Sequence, residues 1–453
     1  MTFRALNPAT GDVLTTRDLH TAEEVERRLA TAQEAFTAYR RTSFDDRSRR
    51  LRRLATLLRD RAGELGELMT AEMGKPIEQA RGEARKCAWV CDYFADQGAH
   101  FLAPEPLREE DLNARVDFQP LGPILAIMPW NFPLWQVFRF AVPTLMAGNT
   151  ALLKHAPNVP GCSAIIADLF EEAGFADGEF QELLIDVDAT ADVIADRRIR
   201  GVALTGSTAA GRAVAAQAGQ HLKPCVLELG GSDPFIVLDG CDLDHTVDQA
   251  VFARMMNNGQ SCIAAKRFLV EEPIYDRFLS ALKKAIESLT VGDPTDEATD
   301  VGPMAREDLR DELHRQVRES IDAGARLLVG GEPLDRPGFF YAPTLLTGVA
   351  PGMPAFDEEI FGPAAAVTRV ADAAEAVALA NHTDYGLGAS VWGPPEAAAS
   401  LARELQAGAV AINESVKSDP RLPFGGIKDS GFGRELSAFG IREFVNIKSV
   451  VQA

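Results

Sequence analysis

The chain has 453 residues, of which 46% are apolar, 25% charged and 7% aromatic. These proportions supply a large core and exclude a disordered, collagen-like or disulfide-stapled chain; at ~150 residues per domain they predict about three domain-sized units. Lys and Arg number 46 against 66 Asp and Glu, a net charge of −20 with no basic run, which argues against nucleic acid as a partner.

In chain order, the first hundred residues read as helical. Thr21-Ala-Glu-Glu24 has the form of a capping box and opens an amphipathic helix to about residue 40. Two more helices are expected over 44–73, where Leu51, Leu54, Leu57, Leu58 and Leu65 recur at helical spacing, and a fourth over 76–101. The stretch from Phe118 to Phe138 carries no charge over 21 residues. Pro120, Pro123, Pro129 and Pro133 interrupt it, so a buried strand-loop-helix passage is expected there rather than a membrane span.

Beyond residue 115, short apolar runs alternate with helical stretches. Strands are expected at 124–128, 151–153, 202–204 and 235–238, and in a second series at 267–270, 325–329 and 409–413. Helices are expected near 243–257, 274–288 and 305–323. The alternation predicts mostly parallel sheets covered by helices, in two α/β units whose boundary falls at Gly230-Gly231. The six cysteines form no CxxC pair and no metal-ligand cluster with histidine. With an N-terminus that lacks a signal-peptide core, they point to a reducing, cytoplasmic setting.

Five places could carry chemistry. Cys262 ends Asn257-Asn-Gly-Gln-Ser-Cys262, a Gly-containing turn whose backbone amides could stabilise a thiolate. Taken alone, a buried, inert role is the commoner one for such a cysteine. Glu228, between leucines in Val226-Leu-Glu-Leu-Gly-Gly231, reads as a strand-end carboxylate whose burial would suit it to general-base work. Asn131 sits in the rigid turn Pro129-Trp-Asn-Phe-Pro133, where its amide could donate to an oxyanion or simply form the turn. Thr205-Gly-Ser-Thr-Ala-Ala-Gly211 follows a strand and opens a helix; Gly206 and Ser207 could face a phosphate, though the spacing is not GxGxxG. Lys154, just after the run Ala151–Leu153, could contact a cofactor or lie on the surface.

Together with Glu358-Glu-Ile-Phe-Gly-Pro363 and Pro423-Phe-Gly-Gly-Ile-Lys-Asp-Ser-Gly431, these segments occur in the order of the aldehyde dehydrogenase superfamily, and the chain resembles it from Asn7 almost to the C-terminus. Within it, the texture of the segments around Arg139, Asn158, Pro420 and Ser437 is similar to the short bacterial succinate-semialdehyde dehydrogenases. The resemblance implies a Rossmann-like cofactor domain (1–104 and 122–230), an α/β catalytic domain (231–431) and a small β oligomerisation arm (105–121 and 442–453). It also implies a homodimer or homotetramer.

By the same resemblance Cys262 is the nucleophile, passing through a thiohemiacetal and a thioester. Asn131 and the Cys262 N–H hold the oxyanion, and Glu228 activates the deacylating water. Trp130, Lys154, Gly206, Ser207, Glu359 and Phe361 match cofactor contacts. Many NAD-preferring relatives carry Glu three residues after the lysine; this chain has Pro157, so a narrow preference for NAD is expected with NADP possible. Phe132, Trp135, Arg139 and Ser418 match the substrate tunnel. Arg139 is expected to receive a substrate carboxylate, with Lys417 as a further contact and a pairing with a protein carboxylate as the alternative. The implied reaction is NAD(P)-dependent oxidation of succinate semialdehyde, or of another aldehyde such as glutarate semialdehyde or an aliphatic one. A cysteine-dependent acyltransferase or hydrolase would need no nicotinamide, and none of the seven histidines lies near Cys262 in sequence; a non-catalytic protein on the same fold would leave the trio Cys262, Glu228 and Asn131 without a task. Ser261, where some relatives carry a second Cys, removes a vicinal disulfide.

Overall fold

The computed structural model describes residues 2–109 and 112–452. The chain opens with an antiparallel hairpin, Thr2–Leu6 against Val13–Asp18, in a region the sequence reads as helical. Alternation explains it: Phe3 and Ala5 turn inward while their neighbours face out, a period of two. Four helices follow, Ala22–Tyr39, Phe44–Asp60, Ala62–Met73 and Ile77–Phe101. Thr21 caps the first through its side chain, which accepts from the Glu24 N–H at 3.2 Å. The reciprocal half of the box is missing, because the Glu24 carboxylate takes Arg27 and Arg28 instead. Leu51, Leu54, Leu58 and Leu65 are fully buried, and Leu57 is half-buried at their margin.

The first sheet runs Gly431–Phe432, Cys225–Glu228, Gly201–Thr205, Pro123–Ile127, Thr150–Lys154, Phe180–Glu182 in spatial order. All of its pairings are parallel except the short strand Gly431–Phe432, which returns from late in the chain to pair antiparallel with Cys225–Glu228. The uncharged stretch forms the five-residue strand Pro123–Ile127, a loop, and the start of the helix Trp135–Met146. Among the described residues no helix is long and apolar enough to cross a membrane.

The second sheet places Ala265–Glu271 and Asp233–Val237 at its centre, flanked by Ala364–Val370 on one side and Gly388–Trp392 on the other. Thr344–Thr347 and Ala409–Ile412 extend it, and Arg326–Val329 closes one edge antiparallel. A third, three-stranded antiparallel sheet joins Glu105–Glu109, Leu112–Pro120 and Val445–Val451. Its side chains Leu107, Ile447 and Val451 are exposed. Apart from the returning strand Gly431–Phe432, the two large sheets thus come from 123–228 and 233–412, and the segments that carry Asn131, Glu228 and Cys262 lie at or beside the ends of their strands.

Candidate active site

Cys262 is placed by the turn before it. Asn257 and Asn258 both adopt left-handed backbone, φ +56° and +57°, a conformation asparagine tolerates because its short amide bonds locally. The Asn258 amide donates to the Gly74 and Pro303 carbonyls, both at 2.8 Å, and its oxygen accepts from the Gly302 N–H at 2.7 Å. The Asn257 amide donates to the carbonyls of Asn131 at 2.7 Å and Gln260 at 2.9 Å. Gly259 follows at φ +72°, where a Cβ would lie 2.3 Å from the Gly362 carbonyl oxygen, so only glycine fits. Beneath the turn the fully buried Lys266 donates to the carbonyls of Ser261 at 2.9 Å and Cys262 at 2.6 Å.

This framework also fixes Asn131. Its Nδ2 donates to the Gln260 carbonyl at 3.0 Å, and its Oδ1 accepts from Gln136 Nε2 at 3.1 Å. One amide N–H of Asn131 remains, and the Cys262 N–H has no partner among the described residues. Two donors are therefore free for an oxyanion beside the thiol. Gln136, Gln260, Asn257, Asn258 and Lys266 are absent from the sequence-based site. Four of them lie inside or just beyond Asn257–Cys262, whose polar density was the available signal.

Two cavities meet at Cys262. One, about 260 Å³, is walled by Trp130, Asn131, Gly206, Ser207, Glu359 and Phe361 together with Cys262. Trp130 and Phe361 stand edge to face, 5.9 Å between ring centroids. Glu359 accepts from the Gly231 N–H at 3.1 Å and lies 3.4 Å from Lys266 Nζ. Ser207 caps the helix Thr208–Gln220, which starts at the cavity wall. Lys154 is not part of this wall; it ends its strand half-buried, and burial lowers its pKa. Near it, both polar side-chain atoms of Asn158 are buried without a partner. A dinucleotide fits these features: aromatic edges for a planar ring, a carboxylate for ribose hydroxyls, a capped helix start for phosphate, and an amide that lacks a partner.

The other cavity, about 250 Å³, is walled by Phe132, Trp135, Phe424, Lys86, Arg139 and Ser418, again with Cys262. Here the structure departs from expectation. Arg139 does reach the wall, but its guanidinium is ion-paired with the buried Glu435, donates to Thr205 Oγ1 at 3.3 Å and stacks 4.5 Å from the Phe424 ring centroid. Its anion is already supplied by the protein, so Arg139 is not the free cation the sequence reading required. Lys417 points elsewhere, bonding the exposed Glu414 at 2.9 Å. Ser418 is in place, accepting from Trp135 Nε1 at 2.9 Å and Lys86 Nζ at 2.8 Å.

One ionisation state differs from the simplest reading, that of Cys262, and one agrees with it, that of Glu228. Burial pushes the Cys262 thiol up to about 12, despite Lys266 and Arg139, so the resting group is a thiol rather than a stabilised thiolate. Glu228 is buried, with both oxygens unpartnered, beside Gly425 and outside both cavity walls. Burial raises its pKa well above the usual carboxylate range, against the opposing pull of Arg139.

The aldehyde dehydrogenase family model matches residues 1–450, and the chain belongs to that family. It is 51% identical over 451 residues to a protein of Synechocystis sp. named "Probable succinate-semialdehyde dehydrogenase", with NADP(+) specified, covering 99% of each chain. It is 50% identical to the Escherichia coli protein named succinate semialdehyde dehydrogenase, NAD(P)+, Sad, covering 98% of this chain and 97% of that one. Among solved structures, it superposes on the Streptococcus pyogenes succinic semialdehyde dehydrogenase in complex with NADP+ with a TM-score of 0.97. That protein is 38% identical, over 99% of each chain. The narrow lean to NAD finds no support in these names.

Proposed function

We propose that the protein oxidises succinate semialdehyde to succinate with NADP, accepting NAD as a second cofactor. The observation that carries this reading is that one thiol, Cys262, belongs to the walls of both cavities: one lined by Trp130, Phe361, Glu359 and a capped helix start, and an apolar one with cationic groups in its wall. Cys262 Sγ adds to the aldehyde carbon as its proton passes to Glu228, the carboxylate whose raised pKa lets it hold one near neutrality. The resulting oxyanion receives the free Asn131 amide N–H and the Cys262 backbone N–H. NAD(P)+, bound in the first cavity, supplies the hydride acceptor for conversion of the thiohemiacetal to a thioester. Glu228 passes that first proton to solvent and then takes one from the water that cleaves the thioester; the acid leaves and Glu228 returns the proton to the departing Cys262 sulfur, restoring the thiol. The two Glu228 oxygens hold no hydrogen bond that would have to be broken for this work.

Trp130, Gly206, Ser207, Glu359 and Phe361 hold the nicotinamide half of the cofactor, and Lys154 the adenosine ribose. Pro157 puts no carboxylate against a 2′-phosphate, which removes the repulsion that excludes NADP. The relatives named with NADP(+) and NAD(P)+ support the same choice. Residues 1–104 and 122–230 form the cofactor domain and 231–431 the catalytic domain. The exposed apolar residues of the three-stranded arm support its use in a homodimer or homotetramer, and six unpaired cysteines fit a cytoplasmic location. A panel of succinate semialdehyde, glutarate semialdehyde and butanal, each with both cofactors, tests the reading. The highest kcat/KM is expected for succinate semialdehyde with NADP; a higher value for butanal, or a strong preference for NAD, overturns it.

A further inference from the structure

Three cations reach the wall of the substrate cavity: Lys75, Arg139 and Lys86. Two are neutralised by the protein, Lys75 by Glu83 and Arg139 by Glu435, and all four partners are buried. Lys86 differs. Among the described residues no carboxylate lies within ion-pair distance of it; its single hydrogen bond goes to a neutral hydroxyl, Ser418 Oγ at 2.8 Å. Its ammonium sits 4.2 Å from the Trp135 ring centroid, against the face of the indole.

The donor arithmetic at this spot is one-sided. Ser418 Oγ accepts from both Lys86 Nζ and Trp135 Nε1, which fills its two acceptor positions and leaves its O–H as a donor. Lys86 has three N–H groups and uses one of them on Ser418. Donors therefore converge on the cavity without an acceptor. A cation taken out of water gains most from an anion that can receive several hydrogen bonds at once.

We propose that Lys86 and Ser418 bind the terminal carboxylate of the aldehyde substrate, and that Lys86 rather than Arg139 sets the preference for an anionic aldehyde. The proposal rests on the succinate-semialdehyde reading and adds the residues that enforce it. Lys86 is mounted on the long helix Ile77–Phe101, which packs against the helices Phe44–Asp60 and Ala62–Met73, and its ammonium is seated by Ser418 Oγ and the Trp135 ring in the same cavity wall as Cys262. Trp135 is a positioning residue: its N–H orients the Ser418 hydroxyl and its ring seats the ammonium.

The test compares Lys86→Met and Ser418→Ala with the parent enzyme on succinate semialdehyde and on butanal, a neutral aldehyde of the same chain length. Lys86→Met is expected to raise KM for succinate semialdehyde between roughly 10- and 100-fold, the range for losing hydrogen bonds to a charged group, and Ser418→Ala to act in the same direction more weakly. The effect on KM for butanal stays below about threefold, and Lys86→Arg recovers part of the loss. Calorimetric titration with succinate supplies a readout apart from turnover, and its affinity falls with the same variants. Equal rises in KM for both aldehydes overturn the proposal, because a merely structural Lys86 moves them together. A parent enzyme that does not favour succinate semialdehyde over butanal overturns the substrate reading, and this proposal with it. A parent that favours it while Lys86→Met keeps the preference overturns the role of Lys86 alone.

Discussion

The two cavities that meet at Cys262 are built in different ways. The nicotinamide-side wall comes from short contiguous segments, Pro129–Asn131, Thr205–Ser207, Leu229–Gly230 and Glu359–Phe361, set in loops at the junction of the two large sheets. Backbone groups and rings do most of its work. The substrate-side wall draws on the interior of the helix Ile77–Phe101, one face of the helix Trp135–Met146 and the loop at Ser418 and Phe424. Its selectivity lies in side-chain charge, and in whether each charge already has a partner. On the proposed assignment the cofactor side is a cradle of backbone and rings, while the substrate side holds three cations, of which two are neutralised and Lys86 has no carboxylate partner among the described residues.

Substitutions separate the two sides. Cys262→Ser acts on both and is expected to lower kcat at least about a thousandfold, followed by reduced-cofactor absorbance; an alcohol is a far weaker nucleophile than a thiol, and its proton is harder for a carboxylate to take. Survival of a tenth of the activity would remove Cys262 from the chemistry. Glu359→Gln belongs to the cradle alone: KM for NADP is expected to rise on the order of tenfold while KM for the aldehyde holds within about twofold. A matching rise in both would show that the cavities are not independent.

The smallest effect concerns pH. Burial, with Arg139 adding to it, lowers the Lys86 pKa to about 8, opposed by Cys87, Glu83 and Asp419; Ser418 and Trp135 are its neutral neighbours. The ammonium is present below that pH and lost above it. KM for succinate semialdehyde should therefore rise roughly threefold between about pH 7.5 and 8.5, while KM for butanal stays level. A flat profile for both aldehydes would take Lys86 out of the binding step.

The same contrast explains what the sequence discloses. Asn131, Gly206, Ser207, Glu359 and Phe361 all fall within compact motifs, and the structure gathers them into one wall. Arg139 was visible too, but its partner Glu435 lies far along the chain, and no local pattern announces that the pair will form. Lys86 sits in an ordinary amphipathic helix with nothing in its spacing to mark it. Among the strands, Ala364–Val370 and Gly388–Trp392 escaped the sequence reading because alanine and glycine are poor strand formers, and both become strands by burial between neighbours already paired. The hairpin Thr2–Leu6 and Val13–Asp18 escaped it because its period-two signal is only a few residues long.

The burial of Cys262 has a consequence for chemical durability. Peroxides and alkylating agents attack the ionised form of sulfur, and a thiol with its pKa near 12 offers almost none at neutral pH. Cys87, Cys91, Cys162, Cys225 and Cys241 are likewise shifted upward by burial. On the proposed mechanism Cys262 becomes reactive only as Glu228 takes its proton, so oxidative damage at this sulfur should scale with turnover rather than with time.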